Sequence, residues 1–186
     1  MRKMKKSSIP WIDCVPDSWH LAPLYSMIEQ VKNSNKGMKC NNLLSLSYGK
    51  IKKKDIETNE GLLPASFETY NIIDDGDIVL RLTDLQNDKK SLRVGLCKER
   101  GIITSAYVTI RPISIIPDFL YYVLHTYDLQ KVFYDLGTGL REGMKYEDVK
   151  RLMVYYPSLS EQKAISLYLD SKCSQIDEAI RRQESI

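Results

Sequence analysis

The stretch GTGLREGMKYEDVKRLMVYYPSLSEQKAI, residues 137–165, combines several local patterns in 29 positions. Its first half is a glycine-spaced basic segment, which indicates a loop whose backbone can approach a phosphate closely. YEDVKRL then predicts a short helix, and MVYYP predicts a strand that ends at Pro157. Ser158 and Glu161 fit the S-x-x-E pattern of a capping box, so we expect another helix to begin there. The stretch therefore predicts a loop, a short helix and a strand that lead directly into a second helix.

The predicted final helix contains no Pro or Gly and continues to Ile186. Mostly apolar positions recur along it at intervals of four, three, four and three residues, which is the heptad spacing of a coiled-coil seam. We call this set the helix seam; it consists of Leu169, Cys173, Ile176, Ile180 and the polar Gln183. Such a seam needs a partner helix, and we expect that partner in another chain or in sequence beyond this one. The alternative is a terminal helix that folds back onto its own domain.

The preceding residues have the patterns of an α+β domain. Helical spacing of apolar residues in LAPLYSMIEQVKN predicts a helix over residues 21–33. PDFLYYVLHTYDLQKVFYDLG predicts a longer helix over residues 117–137, which ends at its final glycine. Period-two patterns and turn residues predict strands in NLLSLS, DGDIVLRLTDL, SLRVGL and TSAYVTIRP. We therefore predict a mixed β-sheet domain with flanking helices over residues 1–157 and a long coiled-coil-type helix over residues 158–186.

The composition is typical of a soluble globular protein, because 43% of the residues are apolar and 27% are charged. No run approaches the roughly 18 apolar residues that a membrane-spanning helix needs. The four cysteines form no C-x-x-C pair, and there are only two histidines. We therefore expect free thiols in a reducing prokaryotic cytoplasm, and neither a metal site nor another cofactor.

Enzyme motifs are missing from the sequence: it contains no P-loop, no G-x-G-x-x-G and no G-x-S-x-G. Asp74, Asp75 and Asp77 are close enough in sequence to hold Mg²⁺, which would make the chain a nuclease. Aspartates are also common at turns for conformational reasons alone, and these three precede a predicted strand. We expect a protein without catalytic residues of its own, with the Mg²⁺-dependent nuclease as the alternative.

The charge is unevenly distributed along the chain. Residues 1–54 contain eleven Lys and Arg against three acids, whereas residues 55–80 contain seven acids and no Lys or Arg. Such asymmetry permits a face that binds a polyanion. Three segments supply donors suited to phosphates, and the second of them adds Gln, Asn and Arg side chains suited to base edges. The predicted DNA contacts are Lys50, Lys52, Lys53 and Lys54, then Arg81, Thr83, Gln86, Asn87, Lys89, Lys90 and Arg93, and finally Thr138, Arg141 and Lys145.

The order of the segments IPWIDCVPDSWHLAPL, GDIVLRLTDLQND, SLRVG, GIITSAY and GTGLREGMKYEDVKRLMVYYPSLSEQKAISLYLD resembles the specificity subunits of type I restriction-modification systems. The resemblance implies a target recognition domain followed by a spacer helix. In that family two such units read the two halves of a split DNA sequence, and their helices pack antiparallel. Modification subunits, which bind S-adenosylmethionine and methylate adenine, dock on the helices, and restriction subunits join through them.

One domain and one helix correspond to half of such a subunit. The resemblance therefore implies that the chain binds double-stranded DNA without catalysing a reaction and positions the methyltransferase. It further implies a homodimer through the helix seam that reads a symmetric split site. The alternative within the same class is a stand-alone fragment that occupies modification subunits and alters or blocks restriction-modification.

Overall fold

The computed structural model describes residues 2–54, 66–85, 88, 90–136 and 143–184. The predicted α+β fold is confirmed. The strands are β1 Met4–Lys6, β2 Cys14–Pro16, β3 His20–Pro23, β4 Ile28–Gln30, β5 Leu44–Ser47, β6 Lys50–Lys53, β7 Asn71–Ile73, β8 Ile78–Leu80, β9 Val94–Leu96, β10 Gly101–Ile103, β11 Val108–Pro112 and β12 Met153–Tyr156. The α-helices are α1 Pro117–Leu129, α2 Val132–Leu136, α3 Tyr146–Val149 and α4 Leu159–Glu184.

A four-stranded antiparallel sheet, in the order β4-β11-β8-β9, lies at the centre of the domain. Successive residues of β8 point to opposite faces of this sheet. Ile78 and Leu80 join a large apolar cluster with helix α1, whereas Val79 joins a second cluster with the β5–β6 hairpin. All three side chains are fully buried. Because both faces of the sheet are covered, the loops at its ends are held on a rigid base.

The helix predicted over residues 21–33 is wrong. Leu24–Ser26 form a short 3-10 turn, and the next residues form β4, which pairs with β11 so that Gln30 lies opposite Ile110. Ile28 enters the cluster beneath α1, whereas Val31 enters the cluster on the other face. A spacing of three residues places side chains on one side of a helix but on opposite sides of a strand. Burial on both faces therefore imitates a helical pattern.

The long helix predicted over residues 117–137 is confirmed in its first half and divided in its second. Helix α1 ends at Leu129, and Lys131 has a left-handed backbone conformation with φ of 63°. Helix α2 then begins at Val132. The conformation at Lys131 breaks the helical hydrogen-bond pattern. The predicted terminator Gly137 lies outside the described residues.

Helix α4 is packed against the domain by its first part. Gln162 is buried and accepts a hydrogen bond from the Ile116 N–H while it donates one to the Pro157 carbonyl, both at 2.9 Å. The Tyr122 hydroxyl donates to Asp170 at 2.6 Å. Every residue from 171 to 184 is exposed. The described helices include none with both the length and the apolar character of a membrane span.

The predicted capping box at the start of α4 is half present. Ser158 Oγ accepts a hydrogen bond from the Glu161 N–H at 3.4 Å. Instead of returning to the cap, the Glu161 carboxylate accepts hydrogen bonds from Arg2 and from the Trp19 indole. The arginine lowers the pKa of Glu161. Glu161 therefore ties the helix to the N-terminal strands rather than to its own first turn.

Candidate nucleic-acid interface

The second and third predicted DNA-binding segments meet in the structure. Thr83 and Gly143 form an antiparallel bridge, and the Met144 N–H donates a hydrogen bond to the Leu82 carbonyl at 2.9 Å. A Cβ atom at Gly143 would lie 2.5 Å from that same carbonyl oxygen. Glycine is therefore required here by close contact of two backbones. This contact joins two loops whose bridged residues, Thr83 and Gly143, are 60 positions apart in the sequence.

An open groove of about 730 Å³ lies beside this junction. Of the predicted contacts, Thr83 and Lys145 line it. Gln30, Lys32 and Ser105 line it too, although the sequence analysis did not select them. Lysines at a groove edge suit phosphate oxygens, whereas the glutamine amide suits a base edge. In the sequence, the one feature that points to Lys32 as a DNA contact is its position in the basic N-terminal part of the chain.

Two acids also line the groove, and both are engaged. Asp148 accepts a hydrogen bond from the Lys145 N–H at 2.9 Å, which caps helix α3. The Glu147 carboxylate lies 2.5 Å from the Lys150 ammonium group. Lys150 offsets the charge of Glu147, whereas Asp148 binds a backbone donor. Lys32 and Lys145 are exposed cations of the groove.

Arg81 and Lys90 lie on the loop that leads away from the groove, and the Lys90 side chain is exposed. Between them, Asp88 accepts hydrogen bonds from the backbone N–H groups of Ser91, at 3.0 Å, and Lys90, at 3.2 Å. Hydrogen bonds from Ser91 are the main reason that the pKa of Asp88 falls to about 2. Asp88 therefore remains ionised at neutral pH and shapes the loop by binding its backbone.

The prediction that Arg93 contacts DNA is wrong, because its side chain is fully buried. The guanidinium group donates hydrogen bonds to the carbonyls of the preceding loop and to the Tyr134 hydroxyl. A group enclosed in this way cannot reach a base in the major groove. Sequence alone identified the arginine but not the acceptors that surround it.

The four predicted lysine contacts of the first segment lie together on strand β6 and just after it, outside the groove lining described above. All four side chains are exposed. The hairpin turn before them has Tyr48 and Gly49 at φ of 49° and 73°, the conformation of a tight type I′ turn. Lys50 Nζ lies 3.4 Å from Asp177 of helix α4, and Lys53 Nζ lies 3.0 Å from Glu99. The structure thus places these lysines on a hairpin beside α4.

Five predicted contacts lie outside the described residues: Gln86, Asn87, Lys89, Thr138 and Arg141.

The aspartates of the nuclease alternative are bound to arginines. Arg111 Nε donates to Asp77 at 2.7 Å, and Arg111 Nη2 lies 2.9 Å from Asp74. Arg100 donates to the other oxygen of Asp74 at 2.6 Å. The hydrogen bond to Asp77 raises the pKa of Arg111. These pairs involve two of the three aspartates, Asp74 and Asp77, and they tie the turn to β11. No cluster of three or more potential ligands occurs among the residues that the structure describes.

The helix seam is exposed where it passes beyond the anchored part of α4. Ile176 is 58% exposed and Ile180 is 48% exposed. Cys173 and Gln183 are exposed as well, whereas Leu169 is half-buried. All four cysteines of the chain are free thiols, as predicted. The alternative in which this helix folds back onto its own domain is therefore wrong for residues 171–184.

No protein-family profile and no curated protein matches the sequence. Solved structures do match its fold. The HsdS subunit from Thermoanaerobacter tengcongensis superposes with a TM-score of 0.59 at 16% identity, covering 94% of this chain and 42% of that one. A chain from a type I R-M system, studied for complex assembly and conformational transition, gives 0.58 at 16% identity, covering 95% and 43%.

The type I restriction-modification S subunit from M. genitalium gives a TM-score of 0.54 at 14% identity, covering 86% of this chain and 40% of that one. The chain thus has the fold of part of a type I restriction-modification specificity subunit. It spans less than half the length of each of these proteins.

Proposed function

We propose that the chain recognises a specific sequence in double-stranded DNA, as half of a type I restriction-modification specificity subunit. The observation that carries this proposal is a match of 94% of the chain to the fold of such a subunit. The groove beside the Thr83–Gly143 junction supports it, because it combines exposed cations with a side-chain amide. Such a mixture suits contacts to both phosphates and base edges.

Within this proposal, the groove and its adjoining loop contact DNA. Lys32, Lys145 and Lys90 bind phosphates, while Gln30, Thr83 and Arg81 are placed to read base edges. The lysine hairpin extends the basic surface towards α4. Gln86, Asn87, Lys89, Thr138 and Arg141 remain proposed contacts on the strength of the sequence.

The chain acts in this proposal without catalysis of its own, in the cytoplasm. Type I modification subunits dock on α4 and supply adenine methylation, and restriction subunits join the assembly through them. Two copies of the chain pair through the helix seam, because Ile176 and Ile180 gain contacts there that the domain does not provide. A two-fold pair would read a symmetric split site.

The salt dependence of binding tests the proposed DNA surface. The full chain is titrated with duplex DNA over a range of salt concentrations, and log affinity is plotted against log salt. Lys32→Ala and Lys145→Ala should each reduce the slope by about one, because each removes one phosphate contact. The matched control is Lys163→Ala, at an exposed position of α4 away from the groove. Slopes that are unchanged in both groove variants would refute this surface.

A further inference from the structure

Arg93 is a fully buried cation whose donors are all used. Its guanidinium group has five N–H donors. Nε donates to the Tyr134 hydroxyl at 2.8 Å. The other four hydrogen bonds go to the carbonyls of Arg81, Thr83, Asp84 and Asp88. One side chain thus binds the backbone of the loop that carries part of the proposed DNA surface at four points.

The surroundings of Arg93 compensate for its burial mainly with dipoles. The nearest oxygen of the Asp88 carboxylate lies 3.9 Å from Nη2. The Asp128 carboxylate is used differently, since it accepts the backbone N–H of Arg93. A buried charge is tolerated only when its hydrogen bonds are complete. The loop conformation and the position of the arginine therefore depend on each other.

The loop held by Arg93 has a conformation that it would not adopt freely. Asp84 has φ of 57°, in the left-handed region that is uncommon for residues other than glycine. Its carbonyl is one of the four that Arg93 binds, at 3.2 Å. The carbonyls of Arg81 and Thr83 are bound on the preceding side of this residue. Arg93 thus holds the backbone on both sides of Thr83, which forms the bridge to Gly143.

Tyr134 reinforces the hold of Arg93 on this loop. Its hydroxyl accepts from Arg93 Nε and donates to the Asp88 carbonyl at 3.1 Å, and its ring lies 5.3 Å from the guanidinium carbon. Tyr134 belongs to α2, the last described element before the segment that resumes at Gly143. Tyr134 and Arg93 therefore bind the same loop carbonyl, that of Asp88, and each other.

We propose that Arg93, with Tyr134, is a positioning residue for DNA recognition: without contacting DNA, it fixes the loop that presents Arg81 and Thr83 in its base-reading conformation. This proposal rests on the proposed function. In this proposal the buried pair supports discrimination between DNA sequences, and it does not contribute to the general attraction to phosphates. Loss of the pair should therefore reduce sequence preference while non-specific affinity remains.

The test compares Tyr134→Phe and Arg93→Lys with a matched control. Tyr134→Phe removes only the hydroxyl, and Arg93→Lys keeps the charge but has three donors without the planar fork. The control is Tyr155→Phe, since the Tyr155 hydroxyl also makes two hydrogen bonds, to Ser8, far along the sequence from the loop. Each full-length variant, alone and with a type I modification subunit, selects duplexes from a randomised library. Amide hydrogen exchange is measured at residues 82–85, 88 and 90–92.

In Tyr134→Phe, loop exchange should accelerate about tenfold, as expected when a buried hydrogen-bond link is lost. The ratio of selected to random duplex affinity should fall about tenfold, comparable to losing one base contact. Non-specific affinity should stay within about twofold, because the phosphate contacts remain. Tyr155→Phe should change neither loop exchange nor the affinity ratio. If Arg93→Lys fails to fold, Tyr134→Phe decides the question.

Two results would overturn the inference, and they are distinguishable. If the unsubstituted chain discriminates between duplexes and Tyr134→Phe discriminates equally well, the positioning role is refuted and the proposed function stands. If the unsubstituted chain shows no preference among duplexes in either setting, the proposed function fails and the positioning role fails with it.

Discussion

The α+β domain and the outer part of α4 differ in how their apolar residues are buried. In the domain, Leu124 of α1 and Ile78 of the central sheet are fully buried by other parts of the same chain. In α4, Ile176 and Ile180 are about half exposed. The domain can therefore reach its stable packing alone, whereas the helix lacks the contacts that would bury its seam. The domain is thus a folding unit, whereas the outer part of α4 carries the surface that we propose for assembly.

The largest expected effect concerns assembly. Combined Ile176→Asp and Ile180→Asp substitutions should convert the proposed dimer entirely to monomer, because two charges would be buried at the seam without partners. Sedimentation velocity measures the result, with Ser174→Asp on the same helix but off the seam as the control. A chain that sediments as a monomer before any substitution, or a dimer that survives both, would contradict the proposed pairing.

The next prediction compares the effect on stability of replacing a large apolar residue with alanine in the domain and in the outer part of α4. Leu124→Ala should lower the free energy of unfolding by about 2–5 kcal/mol, because it leaves a cavity in the core. Ile176→Ala should change it by no more than about 0.5 kcal/mol in dilute monomer, because its side chain is already solvated. Urea denaturation compares the two variants. Similar losses in both would mean that the outer helix packs on the domain after all.

A smaller effect is expected where the two loops of the proposed DNA surface meet. Gly143→Ala should cost about 1–3 kcal/mol, because the new Cβ would press against the Leu82 carbonyl and force the two backbones apart. Thermal and urea denaturation give the stability, and duplex titration gives the affinity. An alanine variant with unchanged stability would show that the loops can separate freely, and the groove would then be less rigid than the structure indicates.

The smallest effect is a pH dependence that belongs to the domain alone. Burial lowers the pKa of His125 below its ordinary value of 6.5, and its Nδ1 atom is buried without a hydrogen-bond partner. The unfolded chain therefore takes up this proton at higher pH than the folded chain does. The stability contribution is complete above about pH 6.5 and is lost as the pH falls through the lowered folded value.

His125→Phe keeps the stacking on Tyr121 and removes the titration. Melting temperatures between about pH 7.5 and 5.5 should fall less steeply for the variant than for the unsubstituted chain. The neighbouring Asp128, whose pKa burial raises, stays in both proteins. Parallel curves would show that His125 does not contribute to the acid sensitivity.

Sequence reasoning was most accurate where a pattern was long or sharply bounded. The stretch over residues 137–165 correctly predicts the order of three elements: helix α3, strand β12 and helix α4. Helix α1 also follows its periodicity, with Pro117 at the start. Local signals determine these elements, because each repeats its pattern over several turns or ends at a specific residue.

The errors arose where distant parts of the chain decide the outcome. Strand β4 was predicted as a helix because burial on both faces of a sheet gave it a helical spacing. Arg93 was selected as a DNA contact because its charge is visible in the sequence, whereas its enclosure by Tyr134 and the loop carbonyls is not. Gln30 was missed for the converse reason, since only the fold brings it to the groove.

The most direct test of the central claim is the adenine methylation pattern in cells that make this chain together with a type I modification subunit. Cells that make the modification subunit alone provide the reference. The proposed function predicts new methylation at a symmetric split motif, and loss of that methylation when Ile176→Asp and Ile180→Asp are combined. No new methylation, although the two proteins co-purify, would contradict an active specificity half-subunit and favour a fragment that blocks modification. If the two proteins do not associate, the proposed restriction-modification role is refuted.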